Sequence, residues 1–169
     1  MSNSSYVPPV APVSCLVSHQ QVVLTGSQSV TLSSATWTDF SDGTTTMSIT
    51  FTPTSATNKL EITGCLNTCR NLTSMYMRVL QDGAVLLQGD AASNRIRCTT
   101  QLNSITQPGI QGNTFSFMVL AGTTSSTTIK VQWYQTTGAL GGVNRATTDT
   151  DDSNHFRTVS VMDIKEYSA

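Results

Sequence analysis

The side chains best suited to chemistry are few and scattered. Only two histidines are present, His19 and His155. His155 stands close to Asp149, Asp151 and Asp152, the one acidic cluster of the chain. The run DTDDSN could offer oxygen ligands to calcium, but it lacks the central Gly and distal Glu of the helix-loop-helix calcium motif. A solvated loop is the plainer reading, with these three Asp residues as the calcium candidates. Three residues separate Cys65 from Cys69, which is not the two-residue spacing of a zinc knuckle, and Cys15 and Cys98 lie far from both. Reduced cysteine behaves as a small hydrophobe, so all four are expected as free, buried thiols. Asp39 and Asp42 flank a turn, where Asp serves local hydrogen bonds. No Gly-x-Ser-x-Gly elbow, phosphate-binding loop, dinucleotide fingerprint or His-Glu-x-x-His is found. The residues therefore point to no catalytic site, no resident metal and no cofactor, and the protein is expected to be non-enzymatic.

Four large aromatics remain to be placed: Trp37, Phe40, Trp133 and Tyr134. Exposed aromatics can stack on sugar rings, but packing in a core or a subunit interface is their commoner fate. Which use applies depends on the elements that carry them. From Ser14 onward the pattern is that of strands. MSITFTP places Met47, Ile49 and Phe51 on one face, and Pro53 ends it. NKLEITGCL places Leu60, Ile62 and Gly64 together. SMYMRVLQDG turns Met75, Met77 and Val79 inward and leaves Tyr76, Arg78 and Leu80 opposite. Asp82-Gly83 then forms a hairpin into AVLLQG. NRIRCTTQL is a further strand candidate, and NTFSFMVLAG is apolar enough to be central. TTIKVQWYQ sets Ile129, Val131 and Trp133 against Lys130, Gln132 and Tyr134. GALGGVNRATTDTDDSN reads as a polar loop and FRTVSVMDIKEY as a long terminal strand. Nine or ten short strands with no helical period predict an all-β antiparallel sandwich.

Composition agrees. The 169 residues include 28 Thr and 21 Ser but only two Glu and three Lys, so helix-coating charged residues are nearly missing. Charged residues are 11% of the chain and the net charge is −1. Nine basic residues against ten acidic ones cannot build a strongly basic face, which argues against nucleic-acid binding. The longest apolar run, Phe117 to Ala121, is too short to span a bilayer, so no membrane insertion is expected. Lys59 is the first basic residue, so no signal peptide is read and synthesis in a cytoplasm is expected. On the same ground the acceptor-like Asn71-Leu72-Thr73 is expected to carry no glycan.

Residues 1–13 are set apart from the domain at 14–169. Pro8, Pro9 and Pro12 exclude a helix and a central strand, and favour an extended, polyproline-like arm. It is uncharged and carries Tyr6, Val7, Val10 and Val13. An arm so stiffened has apolar surface to bury when it docks; a frayed terminus is the alternative.

Four segments in order resemble jelly-roll modules of bacteriophage virion proteins: TWTDFSDGTTTMSITFTPTSATNKL (36–60), RVLQDGA (78–84), TTIKVQW (127–133) and SVMDIKEY (160–167). The resemblance covers roughly residues 28–167. It implies a tumour-necrosis-factor-like jelly roll assembled as a homotrimer, used in capsid decoration, head fibres or tail-fibre tips. The short arm favours a capsid-decorating cement protein on the virion surface. Its arm (Tyr6, Val7, Pro8, Pro9, Val10, Pro12, Val13) would then anchor it to the major capsid protein. The alternative is a receptor-binding tail-fibre tip whose ligand is a host surface glycan.

Overall fold

The computed structural model describes residues 14–32, 36–70, 74–102, 109–135, 140–146, 148, 150, 151, 153 and 155–169. The arm residues 1–13 lie outside the described residues. The described chain is all-β, with twelve strands and no helix. In chain order these are β1 (Leu16–Leu24), β2 (Gln28–Thr31), β3 (Thr38–Asp39), β4 (Ser48–Phe51), β5 (Lys59–Arg70) and β6 (Met75–Gln81). They continue with β7 (Ala84–Val85), β8 (Thr100–Leu102), β9 (Gln111–Leu120), β10 (Thr127–Gln135), β11 (Leu140–Val143) and β12 (Ser160–Tyr167).

The strands form two antiparallel sheets. In sheet A, β5 pairs with β9 along one edge, and with β12 and β11 in succession along the other. Beyond those, β1 pairs with β12 and β2 with β11. In sheet B, β10 pairs with β3 and β4 on one side and with β6 on the other, and β6 pairs with β7 and β8. The antiparallel partners are nested: β1 with β12, β2 with β11, β3 and β4 with β10, β5 with β9, and β6 with β7 and β8.

Period-two alternation builds the core between the sheets. β10 buries Thr127, Ile129, Val131, Trp133 and Gln135 and leaves the residues between them partly open. β12 alternates in the same way. Ile49 and Phe51, Leu60, Ile62 and Leu66, Met75, Met77 and Val79, and Met162 and Ile164 complete a single cluster. Phe40 meets Trp133 edge-on, with ring centroids 5.2 Å apart and planes at 69°. The Asp82-Gly83 hairpin forms as expected, with φ of 49° and 88°, the mirror-image turn that matches strand twist. The Asp82 carboxylate accepts from Thr127 Oγ1 (2.7 Å) and Thr128 N (2.8 Å), which ties the turn to β10.

Four readings of the sequence are corrected. NTFSFMVLAG is apolar on both faces, yet β9 is an edge strand, paired among the described residues with β5 alone. Only Ala84–Val85 of AVLLQG is strand, and only the last part of NRIRCTTQL, as β8. The loop read at GALGGVNRATTDTDDSN contains a strand, β11, whose Gly141, Gly142 and Val143 are buried. Gly141 lies where a side chain would stand 3.1 Å from the Trp133 ring, so the strand needs its glycines to close on the core. The terminal strand begins at Ser160, and Phe156 before it is exposed.

Candidate functional site

The four aromatics singled out by sequence divide between two environments. Phe40 and Trp133 are core residues. Trp37 and Tyr134 stand on the outer face of sheet B, with ring centroids 5.2 Å apart. Strand register explains the split. Trp133 pairs with Thr38 and Met77, and Tyr134 pairs with Tyr76, so adjacent residues of β10 face opposite ways. The result is a row of three partly exposed rings, Trp37 just before β3, Tyr134 on β10 and Tyr76 on β6.

One step along the strands lies a second row, Asp39, Gln132 and Arg78, in register across β3, β10 and β6. Arg78 donates from Nε (2.9 Å) and Nη2 (2.6 Å) to Gln132 Oε1. Gln132 Nε2 donates to Asp39 Oδ1 at 2.6 Å, and Lys130 Nζ donates to Asp39 Oδ2 at 3.0 Å. The Arg78 guanidinium also sits 4.5 Å over the Trp37 ring. Burial alone would raise the Asp39 carboxyl, but hydrogen bonds from Gln132 and Lys130 outweigh it and hold the group below its ordinary value. Burial lowers the Arg78 guanidinium, with Asp39 acting in the opposite sense. A groove of about 660 Å³ continues from this row, lined by Asp39, Ser48, Asp82, Thr128 and Lys130.

Sheet A has a different outer face. β1 presents Val17, His19, Gln21 and Val23, while β9 presents Met118 and Leu120, which are 53% and 63% exposed. Three charged groups there have partners within the chain, Asp163 with His19 Nε2 (2.8 Å) and Lys165 Nζ with Glu61 (3.6 Å), while Lys59, opposite Leu120, is exposed. Tyr167 donates to Glu61 at 3.0 Å. The chain enters this sheet at Ser14 and Cys15, whose Oγ and backbone N bond Ser168 at 3.0 Å each.

Of the calcium candidates, Asp151 is exposed, while Asp149 and Asp152 lie outside the described residues, as does Asn71-Leu72-Thr73. Among the described residues no three His, Cys, Asp or Glu side chains come together as a metal-binding group. Cys69 is buried as expected, and burial pushes its thiol up to about 11. Cys65 and Cys98 are half-buried, and Cys15 is exposed, contrary to expectation, because it precedes β1 at the rim of sheet A. Tyr76 and Arg78 were legible as outward residues of β6 but not as partners of Trp37. That juxtaposition comes from pairing across more than fifty positions, which local patterning does not carry.

No family model matches the chain, and no curated protein matches its sequence.

Proposed function

We propose that the chain is a non-enzymatic bacteriophage virion structural protein. In this reading it is a capsid decoration protein with a tumour-necrosis-factor-like jelly roll, bound to the capsid exterior as a homotrimer after synthesis in the host cytoplasm. The observation that carries the reading is the nested pairing. A long antiparallel hairpin strip, rolled up lengthwise, places first strand beside last and so on inward over two sheets, which is how a jelly roll is built. The pairs β1·β12, β2·β11, β3/β4·β10, β5·β9 and β6·β7/β8 follow that rule throughout.

Assembly is supported by sheet A. An edge strand carrying Met118 and Leu120 outward, beside a face on which Asp163, Glu61 and Lys165 have partners within the chain, suits cover by another copy. Residues 1–13 carry Tyr6, Val7, Val10 and Val13, which in this reading contact a capsid subunit. The mechanism is mass action: a protein that binds only the assembled shell stabilises it, and three arms raise the effective concentration of each contact.

Electron microscopy of intact virions carrying a label on this chain tests the reading. Label distributed over the capsid is expected, and it is lost when residues 1–13 are deleted while the truncated protein stays folded. Label at the tail alone would replace this reading with that of a receptor-binding tip, which the aromatic row of sheet B favours. Full capsid occupancy by the truncated protein would remove the anchoring role from the arm.

A further inference from the structure

The geometry points to a carbohydrate-binding platform on the outer face of sheet B, built from Trp37, Tyr134 and Tyr76 together with Asp39, Gln132 and Arg78, and selective for uncharged oligosaccharides. A sugar ring has an apolar face of C–H groups and a rim of hydroxyls that both donate and accept. Its recognition calls for an aromatic surface beside polar groups fixed in the same plane. Both rows needed for this lie side by side. The rings span two strand spacings, about 10 Å, which gives room for more than one sugar unit, and the polar row lies about 7 Å away along the strands.

The polar row is already organised. Gln132 accepts twice from Arg78 and donates to Asp39, which fixes its amide orientation, and Trp37 holds the other side of the guanidinium. Little side-chain freedom is left to lose on binding. The Asp39 carboxylate stays ionised and accepts from hydroxyls, and Arg78 and Lys130 supply donors. The groove beyond Asp39 adds the hydroxyls of Ser48 and Thr128. Charge decides the ligand class. Arg78 and Lys130 are offset by Asp39 and Asp82, so the surface has no net attraction for a sulfated, sialylated or uronate-bearing chain. The inference concerns a face opposite sheet A, so it stands or falls independently of where on a virion the protein sits.

The test is an array of neutral oligosaccharides built from glucose, galactose, mannose, rhamnose and the N-acetylhexosamines, printed beside acidic glycans and probed with the full-length protein. Binding to at least one neutral glycan is expected. Titration with that glycan should change tryptophan emission through Trp37, because Trp133 is buried, and Trp37→Phe should abolish the signal while keeping much of the binding. Tyr134→Ala and Asp39→Asn should each weaken binding about tenfold, with an unchanged far-ultraviolet dichroism spectrum. Asp39→Asn is nearly isosteric at a partly exposed position, so it reports even if Tyr134→Ala impairs folding. No neutral glycan bound at millimolar concentration, binding confined to acidic glycans, or wild-type affinity in both variants would each overturn the inference.

Discussion

Glu166 shows how a single buried carboxylate organises the chain's end. It is fully buried on β12, where a carboxylate survives only if its oxygens are filled. Oε1 accepts from Thr54 N (2.8 Å), Thr54 Oγ1 (2.8 Å) and Asn58 Nδ2 (2.7 Å), and Oε2 from Ser18 Oγ (3.0 Å). Burial pushes its pKa up, but these bonds outweigh it and hold the group below 4.5. Asp42, which accepts from Gly26, Thr44 and Thr45, is likewise held low against burial. A carboxylate whose folded pKa lies below its unfolded one stabilises fully above the unfolded value, and that stability is lost as pH falls through the folded value. Urea unfolding should therefore give a free energy with no pH slope from Glu166 near neutrality and a fall below about pH 4.5, with a shallower fall in Glu166→Gln. Glu166→Ala strands the buried Asn58 amide and the part-buried donors of Thr54 and Ser18, and should cost about 2–3 kcal/mol at neutral pH, a drop of roughly 4–12 °C in Tm. An unchanged Tm would show that the hub contributes nothing.

At the scale of elements, β11 is the segment where local pattern misleads and packing decides. Gly142 faces away from the core, and a side chain there would run into the Cys69 sulfur and come within 3.1 Å of the Arg145 carbonyl. Gly142→Ala should destabilise by about 1–3 kcal/mol in urea unfolding, and Cys69→Ala in the same chain should recover part of that. Gly89, with open space where its side chain would be, serves as the neutral control. The same contrast explains what was legible. β4, β6, β10 and β12 read correctly because one face is buried and one open, which prints a period of two in MSITF, MYMRV, IKVQW and VMDIKEY. β11 hides because it is buried on both sides by neighbours rather than by its own side chains. β9 reads as central because its outward Met118 and Leu120 look like core residues, and sequence records apolarity without recording what covers it. The candidate site was half legible: Trp37 and Tyr134 stood out by type, but the register that sets them beside Tyr76 and Arg78 is a property of the sheet.

At the scale of the whole molecule, the two outer faces differ, and the proposed homotrimer places its contact on sheet A. Its middle carries Thr63, Cys65, Thr114 and Ser116, short side chains that let another surface approach. Around them Asp163, Glu61 and Lys165 have partners within the chain, and Lys59, opposite Leu120, is exposed on a long side chain that can keep its charge in water at the rim of a contact. Met118 and Leu120 stand open at the β9 edge. Sedimentation should give about 54 kDa, three times the 18.1 kDa chain, with little response to salt because the contact is apolar. In the separate subunit, Met118→Lys and Leu120→Lys alter exposed positions and should change stability by no more than about 0.5 kcal/mol. In an assembly the same lysines must be desolvated without partners, at a cost of several kcal/mol. The double variant should therefore sediment as a folded 18.1 kDa monomer, whereas Thr50→Lys on the outer face of sheet B should leave the assembly intact. A wild-type monomer at micromolar concentration, or an assembly indifferent to both lysines, would move the interface away from β9.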